Sequence, residues 1–347
     1  MLRTLTALIL LATLAATARA GEYWVGPDDE VFGAVEVIEA RHEDTFVSLA
    51  RTYNVGYEEL RQANPGVDVW LPGEGTKIKI PTRFVLPRAP RHGIVVNVAE
   101  LRLYYFPSDA KTPPDGAPAG AQRVITHPIS IGRMDWSTPL GTTTITGKVA
   151  NPSWTPPQSI RDEHAARNDI LPRVVPAGPD NPLGKHALRL GLPSYLIHGT
   201  NKPSGIGMRV THGCIRMFPE DIEALYKTVP AGTAVNLVNQ PVKIGWTADG
   251  SLYVESHRAV RESNVDGEQV AASGDGQAIQ ESPLTSLMRA YVAATDQHRV
   301  ELDWDAAERA AELGNGIPEV VSLPGSVTPT APESAVVEEH AAIVGGD

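Results

Sequence analysis

The 347-residue chain contains a single cysteine, Cys214. A fold stapled by several disulfides is therefore excluded, because each disulfide needs two thiols. Basic residues are also scarce, with 30 Lys and Arg against 41 Asp and Glu and a formal net charge of −11. This balance argues against a surface that follows a phosphate backbone, so nucleic acid is not an expected partner.

The sequence has no long apolar run that could anchor it in a membrane. The run from Leu5 to Ala16 is too short to span a bilayer. It follows a basic Arg3 and precedes the small-residue ending Ala18-Arg19-Ala20. This arrangement is typical of a cleavable signal peptide, predicted over residues 1–20, and it indicates an exported protein without a transmembrane anchor.

Residues 35–82 predict a small unit with the order strand, helix, helix, strand. Its predicted elements are a strand at Val35–Ile38, a helix with apolar Phe46, Leu49, Ala50 and Tyr53 capped by Asp44 or Thr45, a helix at Tyr57–Ala63, and a strand at Thr76–Ile80 that ends at Pro81. A linker is predicted from Phe84 to His92. With Asn64-Pro65 between its halves, the unit resembles a LysM domain, which implies binding to the glycan strands of peptidoglycan; a small packing subdomain is the alternative.

Residues 93–240 predict a mainly β domain. Ile94–Val98 and Leu101–Phe106 read as a tight hairpin across two residues. Further strands are predicted at Val124–Ile131, Thr142–Thr146, Ala187–Leu190, Tyr195–Ile197 and Ala234–Val238, with a helix at Pro219–Val229. The proline-rich segment from Asn151 to Gly184 is too long for an ordinary connection and predicts a flap on the substrate side.

The C-terminal part divides into an accessory region, residues 241–321, and a tail, residues 322–347. Two helices are predicted in the accessory region. The first carries apolar residues from Leu284 to Val292, and the second runs from Trp304 to Leu313, with Asp303 as its cap and Gly314 as its stop. The composition of the tail predicts disorder.

The lone thiol lies in the run Thr211-His212-Gly213-Cys214-Ile215-Arg216, and His198 closes a preceding apolar strand. A thiol is a good nucleophile only when a base or a positive field helps it to ionise. His198 is the better base, because His212 is too close in sequence and is better placed to support the loop. Gly213 permits a tight turn in which the N–H groups of Gly213 and Cys214 could converge on an oxyanion.

The segment from Asn181 to Pro219 is locally basic. It has five Lys and Arg residues and no Asp or Glu. This inverted charge predicts a thiolate and an anionic substrate, although a solvated basic face is an alternative. Two other interpretations of the cysteine are a buried inert thiol and a zinc site with His198 and His212. The zinc site is disfavoured because the sequence places no carboxylate nearby.

Two runs in this sequence, taken together, resemble the signature of the L,D-transpeptidase (YkuD-type) catalytic domain. The first is His198-Gly199-Thr200, and the second is Thr211-His212-Gly213-Cys214-Ile215-Arg216. The resemblance implies a mainly β catalytic domain, a sandwich or barrel with one or two short helices. It implies Cys214 as nucleophile, His198 as general base oriented by a backbone carbonyl, and an oxyanion pocket shaped by His212, Gly213 and Cys214. The sequence departs from the broad family pattern at two points. Arg216 stands where many members have Asn, and only 12 residues separate His198 from Thr211. Both features resemble the Gram-negative, LysM-bearing branch of the family.

The resemblance further implies a periplasmic enzyme that acts on peptidoglycan stem peptides without a metal or organic cofactor. Cys214 would take up a tetrapeptide stem with release of D-alanine and pass it to an amine. That amine is a diamino acid of another stem or a lysine of an outer-membrane lipoprotein or β-barrel protein. Candidate substrate-binding residues are Arg216, Arg209, Lys202, Gly199, Thr200 and Thr211. The alternatives are an L,D-carboxypeptidase, in which water takes the acyl group, and a non-catalytic wall-binding protein.

Overall fold

The computed structural model describes residues 21–109, 111–133, 138–260, 281–296, 298–326 and 328–329. The predicted signal peptide, residues 1–20, and most of the predicted tail, residues 322–347, lie outside these ranges. Within them, no helix has the length and apolar character needed to cross a membrane. The strands are β1 Gly21–Val25, β2 Val31–Glu39, β3 Lys77–Val85, β4 Gly93–Asn97, β5 Arg102–Phe106, β6 Gln122–Pro128, β7 Ile131–Gly132, β8 Gly141–Ala150, β9 His186–Leu190, β10 Leu196–His198, β11 Arg209–Thr211, β12 Ile215–Arg216, β13 Ala234–Val238, β14 Val242–Trp246, β15 Leu252–Ser256, β16 His298–Arg299, β17 Glu319–Val320 and β18 Thr328–Pro329. The helices are α1 Phe46–Thr52, α2 Tyr57–Ala63, α3 Gln158–Ala165, α4 Pro219–Thr228, α5 Pro283–Ala294 and α6 Trp304–Leu313.

The predicted mainly β fold is confirmed. Nine strands form one sheet in the order β1-β6-β5-β4-β13-β8-β9-β10-β12. Apolar side chains from these strands and from α4, including Ile94, Ile197, Ile215 and Ile222, form a buried core on one face. Two short α-helices, α3 and α4, accompany this sheet, as predicted.

The strand, helix, helix, strand order is also confirmed, but its strands are longer than predicted. Strands β2 and β3 pair from Val31↔Val85 to Glu39↔Lys77, so β3 continues through Pro81 into the predicted linker. Pro81 lacks an N–H to donate, yet it is tolerated because this sheet has only two strands and each is an edge. Thr45, one of the two predicted caps, begins α1 by accepting a hydrogen bond from the Ser48 N–H.

The β4–β5 hairpin differs from prediction in its connection. Asn97 pairs with Arg102, so four residues join the strands rather than two. Leu101 takes a left-handed φ of 57° there and still buries its side chain. The apolar pattern therefore located the strands, but the turn geometry added two residues to the loop.

The strand, helix, helix, strand unit packs firmly against the large sheet. Arg102 of β5 and Glu59 of α2 form a two-pronged ion pair with both N···O distances at 2.7 Å and both side chains buried. The start of α2 meets the segment before β11, where the Gly207 carbonyl accepts the Glu58 N–H at 3.3 Å. A Cβ on Gly207 would come within 2.3 Å of the Tyr57 nitrogen, so this contact requires glycine.

The C-terminal region adds a second small core. Strands β14, β15 and β17 form a three-stranded sheet covered by α5 and α6. Both predicted helices are confirmed: Asp303 accepts the Ala306 N–H at the start of α6, and Gly314 ends it in the left-handed conformation. A buried ionic cluster of Glu100, Lys243, Glu255 and His257 joins this region to the β4–β5 loop.

Candidate active site

His198 and Cys214 are brought together by two adjacent parallel strands. Ile197 of β10 pairs with Ile215 of β12, and both side chains are buried in the core. Because successive side chains point to opposite faces of a strand, His198 and Cys214 both lie on the other face. Because His198 pairs with Arg216 and Cys214 directly precedes β12, the two residues are diagonal neighbours on that face.

The His198 ring is oriented by its own backbone neighbour. Its Nδ1 lies 2.6 Å from the Gly199 carbonyl oxygen, which can only accept, so Nδ1 carries the hydrogen. Burial and, next, the Arg216 charge lower the pKa of His198 to about 3, although the hydrogen bond to Gly199 opposes them. The ring is therefore neutral at physiological pH, with an unprotonated Nε2 that can accept a proton.

The Cys214 thiol is half-buried and protonated at rest. Its Sγ donates to the Ser194 carbonyl oxygen at 3.6 Å. Burial raises the pKa of Cys214, and a backbone hydrogen bond from Leu196 and the Arg216 charge only partly offset it. The predicted resting thiolate is therefore wrong, because the cost of desolvating the anion exceeds the benefit of the local basic charge. A neutral thiol beside a neutral imidazole favours proton transfer during attack.

The loop before the thiol is fixed by short hydrogen bonds. Gly213 has a φ of 100°, a conformation that favours glycine. Its carbonyl accepts from the Thr138 hydroxyl at 2.9 Å, and the Thr211 hydroxyl donates to the Cys214 carbonyl at 2.7 Å. Gly213 therefore provides the tight turn that the sequence predicted.

The predicted basic residues lie in different surroundings. Arg216 faces His198 across β10 and β12, and its Nε is buried without a hydrogen bond among the described residues. Burial lowers the pKa of Arg216 to about 10, against the effect of Cys214. Arg209 lies half-buried on β11, whereas Lys202 is exposed and its backbone N–H donates to the buried Thr200 hydroxyl. Of the three, Arg216 is the one beside the thiol.

A carboxylate that sequence reasoning missed lies next to His212. Glu163 of α3 accepts from His212 Nε2 at 2.7 Å and from Arg133 at 2.8 Å. The expectation that no carboxylate lies nearby is therefore wrong, because the segment from Asn151 to Gly184 returns to the site. Burial opposes ionisation of Glu163, but these two partners outweigh it and lower its pKa to about 2. No sequence signal linked Glu163 to a histidine 49 residues away.

The zinc alternative is contradicted by the geometry. Among the described residues, ligand atoms close enough to share a metal ion occur in Glu100, Glu255 and His257 and not in His198, His212 and Cys214. The Glu100, Glu255 and His257 cluster already contains the Lys243 ammonium, which pairs with both carboxylates. The cysteine is thus available for nucleophilic rather than metal chemistry.

The sequence profile of the L,D-transpeptidase catalytic domain, YkuD, matches residues 91–244. The probable L,D-transpeptidase YbiS of Escherichia coli K12 is 41% identical over 74% of this chain and 78% of its own length. The chain belongs to the L,D-transpeptidase family. Two further probable L,D-transpeptidases of Escherichia coli K12 are similar to it: YcfS, 46% identical over 64% of this chain and 68% of its own, and ErfK/SrfK, 39% identical over 79% and 81%.

Membership in the L,D-transpeptidase family makes the chain a transferase-type enzyme and agrees with the predicted catalytic fold. The matched region, residues 91–244, includes β4 to β13 and therefore every candidate site residue discussed above. The strand, helix, helix, strand unit precedes this region and contacts it through Glu59 and Arg102. Any role of that unit has to be argued from its own residues.

Proposed function

We propose that the chain is a cysteine-dependent L,D-transpeptidase acting on peptidoglycan stem peptides, with Cys214 as nucleophile and His198 as general base. The observation that carries this proposal is the arrangement of the two side chains on one face of β10 and β12, with Nδ1 of His198 held by Gly199. This arrangement leaves Nε2 as the proton acceptor. A general base needs an unprotonated atom for the proton of the nucleophile, and Nε2 of His198 is unprotonated.

The chemistry needs no group beyond these residues. His198 Nε2 takes the thiol proton while Sγ attacks the carbonyl carbon at the L-centre of the diamino acid. The tetrahedral oxyanion accepts hydrogen bonds from the backbone N–H groups of the loop at Gly213 and Cys214. The C–N bond to D-alanine then breaks, His198 returns the proton to the leaving amine, and a thioester remains. An acceptor amine attacks that thioester and displaces the thiol.

Arg216 is the proposed partner for a stem carboxylate. Its guanidinium lies on the same face as Cys214 and His198, and its buried Nε makes no hydrogen bond within the described structure. A buried donor without a partner carries a free-energy cost that a bound anion removes. Arg209 and Lys202 remain weaker candidates, since Arg209 lies on β11, which pairs with β7 and not with β10 or β12, and Lys202 is exposed.

The composition of residues 1–20 supports export, and we infer that the enzyme works in the periplasm. The acceptor is either a diamino acid of another stem, which gives a 3-3 cross-link, or a lysine of an outer-membrane protein. Purified protein incubated with a defined tetrapeptide muropeptide should give a dimer that has lost one D-alanine, detected by mass. A tripeptide alone would favour the carboxypeptidase, and an unchanged substrate would contradict the proposal.

We further propose that the strand, helix, helix, strand unit binds peptidoglycan glycan strands. Trp70 follows α2 and is 55% exposed, in a loop where Asp68 accepts the Trp70 and Leu71 N–H groups. An exposed indole presents an apolar face on which a sugar ring can stack. The unit itself cannot be removed cleanly, since deletion would take Glu59 from Arg102 and expose the surface of the large sheet that the unit covers.

A point substitution tests the glycan proposal without disturbing the catalytic domain. Trp70→Ala should weaken pelleting with insoluble peptidoglycan by about fivefold or more, because tryptophan is enriched among the interface residues whose truncation costs more than about 1 kcal/mol. Trp304→Ala, at the 44% exposed start of α6, is the matched control and should pellet like the parent. Equal pelleting of the Trp70 variant and the parent would place the glycan contact elsewhere.

A further inference from the structure

Glu163 connects the long segment after β8 to the loop that carries the thiol. It lies near the end of α3, whose buried side chain is Ile160. Its Oε2 contacts His212 Nε2 at 2.7 Å and Arg133 Nη2 at 2.8 Å. The Arg133 backbone N–H donates to the Thr211 carbonyl at 2.9 Å, so both partners of Glu163 belong to the surroundings of one loop.

The contact with Glu163 determines which nitrogen of His212 carries a hydrogen. The Glu163 carboxylate is ionised and can only accept, so its 2.7 Å contact makes Nε2 of His212 the donor. Arg133 Nη2 lies 3.1 Å from the same Nε2 and cannot bond to it in that form, but it donates to Glu163 at the shorter distance of 2.8 Å. Burial and, more weakly, the Arg133 and His164 charges lower the pKa of His212, whereas Glu163 raises it. Glu163 thus supports both the orientation and the hydrogen position of this ring.

His212 is covalently continuous with the reacting atoms. Gly213 and then Cys214 follow it directly, and the carbonyl groups of these two residues are held by Thr138 and Thr211. The His212 side chain of the same loop contacts Glu163 and Arg133. A rotation there would shift the N–H groups that face the oxyanion, and displacements of about 1 Å can cost about a hundredfold in rate.

We propose that Glu163 is a positioning residue for the reaction at Cys214, which acts by holding the His212 imidazole in its Nε2-protonated form and orientation. This inference rests on the proposed function, because it assigns a role within the Cys214 reaction. It also explains why the segment between β8 and β9 contains a helix whose charged side chain reaches the site. Glu163 itself does not touch the reacting atoms.

Glu163→Gln preserves the size of the side chain and removes its charge. The variant should lower kcat for D-alanine release from a tetrapeptide about tenfold to a hundredfold, with KM nearly unchanged. Asp169→Asn is the matched control, because Asp169 contacts His164 at 2.6 Å just beyond the same helix, and it should retain the parent kcat. A fall in KM with kcat preserved would instead mean that Glu163 blocks a substrate carboxylate, which would overturn the proposal.

A spectroscopic readout separates positioning from a loss of stability. In the parent, ¹⁵N shifts of selectively labelled histidine should assign the hydrogen of His212 to Nε2, and Glu163→Gln should shift the ring toward a mixture of both forms. Unchanged His212 shifts and an unchanged kcat would reject the inference while leaving the Cys214 mechanism intact. A parent protein that releases no D-alanine would instead reject the proposed function, whatever the histidine spectrum shows.

Discussion

Replacing His198 by alanine or glutamine lowers the rate of Cys214 acylation by about 10²–10⁴, the usual contribution of a general base. The thiol is protonated at rest, since burial raises its pKa, and it therefore depends on His198 to remove the proton during attack. The rate is measured by intact mass after mixing with a carbapenem or a tetrapeptide stem. Far-UV circular dichroism of each variant verifies that the sheet remains folded.

The control for this substitution is an exposed histidine remote from the site. His42 lies in the turn before α1, and His42→Gln should acylate at the parent rate. Equal rates for the His198 variants and the parent would remove His198 from the mechanism. A uniform loss in all three variants would indicate a general effect of histidine removal on the fold.

The pH dependence of acylation tests the lowered pKa of His198. A histidine with an ordinary pKa near 6.5 would be about thirtyfold less often neutral at pH 5 than at pH 7 and above. Burial and the Arg216 charge lower the pKa of His198 to about 3, so this base stays unprotonated throughout that range. The acylation rate of the parent should therefore be nearly constant between pH 5 and pH 7. A fall with a midpoint near 6.5 would show a base with an ordinary pKa and would contradict the lowering of the His198 pKa by burial.

Lys243→Met should destabilise the protein by about 3–5 kcal/mol, because it leaves buried carboxylates without their counter-charge. The Lys243 ammonium pairs with Glu100 and Glu255, and all three side chains are 1% exposed. Burial alone would lower the pKa of Lys243, but the two carboxylates outweigh it and raise the pKa. The free energy of unfolding is obtained from urea denaturation of parent and variant.

A matched ion pair on the surface shows whether burial causes the loss of stability in the Lys243 variant. Lys227 pairs with Glu223 on α4, where the side chains are 66% and 46% exposed. Lys227→Met should leave the free energy of unfolding nearly unchanged, because an exposed ion pair contributes little. Similar small effects for both lysine variants would mean that the buried cluster does not hold the C-terminal region to the sheet.

Local signals explain what the sequence predicted well. Asp303 and Gly314 delimit α6 because a cap and a left-handed stop act within one turn of the helix. His198 was placed at a strand end by the apolar residues before it, and the structure has β10 end there. In each case the determining interactions involve residues close in sequence.

Contacts between distant segments explain what the sequence did not predict. Glu163 meets His212 across 49 residues, and Glu59 meets Arg102 across 43. Neither pairing has a local pattern, because each depends on how whole segments pack. The state of the Cys214 thiol was mispredicted for a related reason: counting nearby charges omits the cost of burying an anion.

The most direct test of the account is to locate the acyl group on the protein. Incubation with a defined tetrapeptide stem, acid quenching and peptide mapping by mass spectrometry should show the tripeptide acyl group on Cys214, with one D-alanine released per adduct. Cys214→Ala should show neither the adduct nor the released D-alanine. Release of D-alanine by the Cys214→Ala variant, or an adduct on another residue of the parent, would contradict the account.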